Sequence, residues 1–342
     1  MSRFQPGAGW AAGVAPAQGW APSASRDALR LRAGLNRLIR EFFHDRGVME
    51  VETPVMSLAG VSDPHIAPFH LKFSGRTDGA PRTRWLRTSP EYPMKRLLAA
   101  GIGDCYELGR VFRDGEAGGR HNPEFTMLEW YRLGWDHHRL IDETVMLVQA
   151  ALALVGRQAR TVQTMTYRDG YLSVLGLDPF TASLEALRAA LGDVVIDPQG
   201  LGRDDWLDLL MTHRIQPGFA EDTITILHDY PASQAALARI RDDGDGHPVA
   251  ERFELYLGPL ELANGYHELG DAAEQGARFA HDAAVRRERD GAAPPTDQYL
   301  LDALAHGLPG CAGVALGIDR LLMAMIGTPR IADVLAFDFA RA

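Results

Sequence analysis

The sequence predicts an α+β fold, an antiparallel β-sheet flanked by helices. Three observations carry that expectation. Apolar, aromatic-rich runs come in pairs separated by turn residues, CYELGRVF with FTMLEWY and ERFELYL with LELANGYHEL. An amphipathic helical pattern opens near Ser25. The stretch between the two candidate hairpins, 136–245, reads as mainly helical, and so as an insertion within the sheet.

Each element has a local reason. Ser25 is placed to cap a first helix whose Leu31, Leu35, Leu38, Ile39 and Phe42 share one face. Gly47 suits its end, and VMEVETP then reads as a strand. Thr88-Ser89-Pro90-Glu91 leads into a helix with the body YPMKRLLAAG. Pro90 lacks only an N–H that the first turn would not use, and Glu91 meets the positive end of the helix dipole. Between the first pair of runs, Asp114 to Gly119 holds three glycines, which predicts a hairpin with a long, mobile loop. Asp142 to Val155 is the clearest helix of the insertion. Glu251 to Leu269 returns to strands, turning near Gly258-Pro259, and a charged helix follows over Ala272 to Gly291.

The chain of 342 residues is long enough for one large domain, expected over 25–342. Residues 1–24, rich in Ala, Gly and Pro without a continuous apolar core, read as a flexible tail rather than a signal peptide. No apolar run approaches the ~18 residues of a membrane span. Two cysteines, Cys105 and Cys311, form no CxxC motif and fit reduced core thiols in a cytoplasmic protein. A net charge of −10 argues mildly against a nucleic-acid surface, although a local basic patch on an acidic protein would escape this count.

The densest chemistry lies in RVFRDGEAGGRHNPEFTMLEWY, from Arg110 to Tyr131. Arg113, Asp114, Glu116, Arg120, His121 and Asn122 crowd the base and loop of the hairpin. Arginine offers a planar, permanently charged fork suited to a polyphosphate. A second constellation is Glu261-Leu262 with Glu268. Seven residues apart, the two glutamates point to opposite faces of a flat strand, so they converge only across a break, for which Asn264-Gly265 is the candidate. Carboxylates of this kind suit Mg²⁺ shared with phosphates. Glu91 could hold one ammonium, and Glu268 with Tyr131 a second, which suits a diamino acid. Read singly, Glu91 equally suits its helix dipole and Tyr131 the core. Gly317 suits either a close ligand or close helix–strand packing.

The hairpin segment resembles motif 2 of class II aminoacyl-tRNA synthetases, and RHNPEFTMLEWY resembles their lysine-specific subgroup. GVALGIDRLLMAMIG (Gly313 to Gly327) is similar to motif 3, and FFHDRGVMEVETPVM (Phe42 to Met56) to motif 1. The resemblance implies a class II synthetase-like catalytic domain that activates an amino acid with ATP and Mg²⁺. It places Arg113, Asp114, Glu116, His121, Asn122, Glu261, Leu262, Gly317 and Arg320 on the nucleotide, with Arg113 and Arg320 as the catalytic cations. Ser89, Pro90, Glu91, Tyr131, Glu268 and Ala315 fall on the amino acid, and Glu261 and Glu268 on the metal, without a division of duties. No anticodon-binding barrel precedes motif 1 in this sequence, a pattern similar to the elongation factor P lysine ligases. That group implies transfer of lysine, preferably (R)-β-lysine, to elongation factor P rather than to tRNA, by a homodimer. A truncated lysyl-tRNA synthetase and a non-catalytic regulator are the alternatives. Two departures stand out. Gly115 occupies a position where such synthetases carry Glu, with Glu116 next to it. Ala315 stands where they carry Gly, so its methyl would reshape the amino-acid pocket, worth on the order of 1–3 kcal/mol of discrimination.

Overall fold

The computed structural model describes residues 19–159 and 161–342. Most of the tail expected over 1–24 lies outside the described residues. The backbone N–H groups of Ser23 and Ala24 bond to the carbonyls of Ala336 and Leu335, at 2.8 and 3.0 Å.

Helix α1 (Arg26–His44) starts where Ser25 Oγ accepts the Ala28 N–H, and it buries Leu31, Leu35, Ile39 and Phe43. The strands before the hairpin are β1 (Met49–Glu50), β2 (Met56–Ser57), β3 (His70–Lys72) and β4 (Thr83–Leu86). Helix α2 (Glu91–Ala99) follows, then the predicted hairpin as β5 (Cys105–Phe112) and β6 (Glu124–Leu133). Next come α3 (His137–Ala153), β7 (Thr161–Thr166), α4 (Tyr167–Leu175), α5 (Leu184–Ala190) and α6 (Arg203–Leu210). The second hairpin follows β8 (Thr223–Pro231) and β9 (Ile240–Asp242), as β10 (Pro248–Leu257) and β11 (Leu260–His267). The chain closes with α7 (Ala272–Asp290), α8 (Gln298–Gly307), β12 (Cys311–Gly317) and α9 (Ile318–Ile326).

One sheet runs β1-β5-β6-β12-β11-β10-β8-β7, with β9 beside β10. It is antiparallel except for the β1–β5 and β7–β8 pairs. Here the structure differs from the expectation of a helical insertion over 136–245. That stretch holds α3 to α6, but also β7 and β8, which extend the main sheet. TITIL in β8 buries Ile224 and Ile226 against the core, as a strand covered on its inner face does. The parallel β7–β8 pair requires a long crossover, and α4 to α6 supply it.

One face of the sheet packs on α1, α3 and α9 through Leu35, Ile39, Leu147, Val148, Leu321 and Leu322. Buried polar ties align the three motif regions. Asp319 accepts from Arg32 of α1 and, at 2.7 Å, from the Thr126 N–H of β6. Arg87 meets Glu107, whose other oxygen takes the Thr53 N–H at 3.1 Å and hydroxyl at 2.7 Å. A buried ion pair is stable only when its remaining donors and acceptors are also satisfied, as these are. The opposite face is walled by α2, α7 and α8, leaving a cavity of ≈ 610 Å³ between them. No described helix is long and apolar enough to cross a membrane. Cys105 and Cys311 are buried free thiols.

Candidate active site

Helix α2 presents Glu91 and Lys95 one turn apart, and strand β11 continues to Glu268 opposite them. Lys95 is buried, with Nζ 2.6 Å from Glu91 Oε1 and 2.5 Å from Glu268 Oε2. On β6, two strands from β11, Glu129 accepts from Ser89 Oγ and from Tyr131 Oη, both at 2.7 Å. Three carboxylates thus gather around one internal ammonium, and Ser89, Glu91, Glu129, Tyr131, Glu268 and Ala315 all line the cavity. Gly313 of β12 permits this convergence, since a Cβ there would collide with the Tyr131 ring and the Glu268 carboxylate.

The electrostatics follow from this count. Burial, reinforced by Glu91, pushes the Glu129 carboxyl up to about 8 against the hydrogen bonds from Tyr131 and Ser89. Burial likewise raises Glu268 to about 8, with Lys95 opposing and Glu91 adding. Burial alone would lower Lys95, but Glu268 and Glu91 outweigh it and hold the ammonium charged. The pocket is short of positive charge, and a ligand carrying ammonium groups would make up the deficit.

A second cluster lies at the hairpin base. Arg320 at the start of α9 donates to Glu261 Oε2 at 3.2 Å and faces His121 Nε2 at 2.8 Å. Burial, then the Arg320 charge, lowers the His121 pKa, so a neutral ring accepts the guanidinium N–H. Arg113 sits 3.7 Å from Glu116 and 5.1 Å over the Phe125 ring, and it also lines the cavity. Burial and Glu254 raise the Glu261 carboxyl, while Arg320 and Arg113 pull it down. A half-buried hard carboxylate between two arginines fits a Mg²⁺ ion shared with phosphate oxygens. Glu268, the other candidate ligand, lies against Lys95 instead of beside the arginines.

The break that brings both glutamates to one face is a bulge at Leu262. The register passes from Leu255↔Ala263 to Tyr256↔Glu261. The pairing across Asn264-Gly265, the expected break, is regular. One extra residue reverses the alternation between Glu261 and Glu268, which a kink at Asn264 was expected to do. The Leu262 side chain packs in the core, which leaves only its backbone for a ligand. A Cβ at Gly317 would approach protein atoms no closer than 3.8 Å, so packing does not demand glycine there. Gly115 has φ +79°, a left-handed conformation strained for glutamate, which accounts for glycine at that position. The loop is tied at its edges by Asp114 N–H to Ala67 O (2.7 Å) and Ile331 N–H to Gly119 O (2.8 Å). Asn122 spends its side chain on Glu124 O (2.7 Å) and the Phe339 N–H (2.9 Å). Pro90 caps α2 rather than lining the cavity.

Lys95 and Glu129 escaped the sequence reading. The i, i+4 spacing of Glu91 and Lys95 was the available signal for the first, and the alternation of Glu129 with Tyr131 for the second.

Comparison with known proteins places the whole of this fold in one family. Residues 20–341 match the family of tRNA synthetases class II (D, K and N). A curated protein of Vibrio cholerae named elongation factor P–(R)-β-lysine ligase is 48% identical over 326 residues, covering 94% of this chain and 98% of that protein. Proteins of the same name from Yersinia enterocolitica and Salmonella typhi are each 46% identical over 327 residues, with the same coverage.

Proposed function

The chain belongs to the class II tRNA synthetases of the D, K and N type, and from that premise we infer that it is a ligase attaching (R)-β-lysine to elongation factor P. Its relatives of that name support the substrate and the partner. The observation that carries the reading is the pocket in which two buried carboxylates, Glu129 and Glu268, and the part-buried Glu91 gather around Lys95. A substrate with two ammonium groups neutralises them, whereas a monoamino acid leaves a desolvated carboxylate unpaired.

In the proposed mechanism Glu91 holds one ammonium, while Glu129 and Glu268 hold the other. The substrate carboxylate then attacks the α-phosphorus of ATP, the bond to the bridging oxygen breaks, and pyrophosphate leaves. Arg113 reaches the α-phosphate from the cavity side, and Arg320 the γ end. These preorganised charges act where negative charge builds in the transition state. Arg32 and the Thr126 N–H hold Asp319 still, which fixes the first turn of α9 and with it Arg320. Mg²⁺ held by Glu261 would neutralise phosphate charge. Gly317 leaves the strand end open to the nucleotide. The ε-amine of the acceptor lysine then attacks the acyl carbon, giving an amide and releasing AMP. Exposed apolar Met49, Val55, Met56, Leu71 and Phe73 around the motif 1 region support a homodimer.

ATP–pyrophosphate exchange with β-lysine, lysine and norleucine tests the pocket. The two diamino acids should drive exchange and norleucine should not. Equal exchange with norleucine would remove the basis for the carboxylate argument.

A further inference from the structure

On the other face of the sheet, residues unused by the ligase chemistry form a second cluster of metal-ligating groups. His137 and His138 open α3, and His228 lies on β8. One ligand atom from each ring falls within 4.8 Å of the others. The His137–His138 and His138–His228 ring centroids are 4.1 and 5.2 Å apart. His137 is 1% exposed, and neither of its ring nitrogens has a hydrogen-bond partner among the described residues. Buried polar groups are ordinarily satisfied, so an orphaned imidazole facing two others needs an explanation. Asp229 completes the arrangement, with Oδ2 3.1 Å from His228 Nδ1 and Oδ1 3.9 Å from His137 Nε2. Oδ1 is itself buried without a hydrogen bond.

We propose that His137, His138 and His228 bind a divalent transition-metal ion of the zinc class, with Asp229 orienting the rings. Neutral imidazoles are the preferred ligands of such ions, and a carboxylate behind a ligating ring fixes its orientation and raises its basicity. The ligand atoms must draw together to reach bonding distance of one ion, and exposed His138 at the helix start is free to swing inward. A neighbouring set shares His137 with Glu251 and His267. It is the weaker candidate, because Glu251 already accepts from His267 at 2.8 Å and lies 3.6 Å from Arg241 and 3.8 Å from Arg239. Neither set lines the substrate cavity; His267 ends β11 and Glu268 follows it, and of the two only Glu268 faces the cavity. The ion would pin the start of α3 to β8.

The test is stoichiometry and affinity on the purified full-length chain, stripped with chelator and titrated with Zn²⁺, with Co²⁺ absorption as a second probe. The proposal expects one equivalent of Zn²⁺ per chain, with an imidazole-type Co²⁺ spectrum. His138→Ala and His228→Ala should abolish it, and Asp229→Asn should weaken it by about 10–100-fold. His138→Ala changes an exposed residue and keeps the test independent of folding. Binding that survives both histidine substitutions but is lost in His267→Ala would move the site to the neighbouring set and overturn the assignment. No stoichiometric binding, or binding lost only in Glu261→Gln, would also overturn it.

Discussion

Replacing Glu129 by Gln removes one negative charge from the pocket while keeping the shape of the side chain. Its two partners, Ser89 Oγ and Tyr131 Oη, are hydroxyls that can rotate to accept from the new amide. In the native protein the carboxyl titrates at about 8 rather than 4.5. The folded state therefore binds more protons than the unfolded chain between those values, and stability falls as pH rises through that window. At about 1.4 kcal/mol per tenfold change in proton affinity, the rise sets an upper bound of about 5 kcal/mol on the cost of ionising Glu129. Below the unfolded value both states are protonated and the cost vanishes. Glu129→Gln should therefore melt above the wild type at about pH 8, by a margin that shrinks toward about pH 5. It should also lose kcat/KM for the diamino acid by about 10–100-fold, the worth of a charge-assisted hydrogen bond. Thermal denaturation of the ligand-free protein across this pH range, run beside pyrophosphate exchange, reads both effects. A variant that melts below the wild type at pH near 8, or whose margin does not shrink on acidification, would refute the reasoning.

Three further outcomes follow from the same geometry. Lys95→Met strips Glu91 and Glu268 of their shared cation and should cost about 3–5 kcal/mol, seen as a lower denaturant midpoint at unchanged slope; an unmoved midpoint contradicts the pairing. Arg113→Ala should cut pyrophosphate exchange by about 10²–10³-fold without lowering Tm, since its ion pair with Glu116 is loose, at 3.7 Å; a matching loss of Tm would make Arg113 structural. Ala315 lines the cavity, so Ala315→Gly should shift the exchange ratio of α-lysine to β-lysine toward α-lysine by about 10-fold or more, and an unchanged ratio would place specificity elsewhere.

What the sequence made legible was what local chemistry decides. The Ser25 cap, the helix end at Gly47 (φ +68°), the Pro90-Glu91 helix start and the turns of the two hairpins all depend on residues close to one another in sequence. The arginine-rich hairpin base was legible for the same reason: Arg113, His121 and Phe125 are close in sequence as well as in space. What escaped depends on distant partners. Lys95 is unremarkable within YPMKRLLAAG until Glu268 meets it across the pocket. The bulge at Leu262 is set by the register between β10 and β11, and no residue type announces it. Gly313 reads as one more motif glycine until the Tyr131 ring and Glu268 are seen to occupy the space of its Cβ. Strand β8 was absorbed into a helical stretch because its parallel partner β7, TVQTMT, is short and mostly polar, with long helical segments between them.

The most direct test of the ligase reading is the intact mass of its acceptor. Purified protein, ATP and Mg²⁺ would be incubated with α-lysine or (R)-β-lysine, offering elongation factor P and tRNA in parallel. The account predicts one lysyl mass added to elongation factor P, faster with (R)-β-lysine, and uncharged tRNA. Charged tRNA beside unmodified elongation factor P would contradict it.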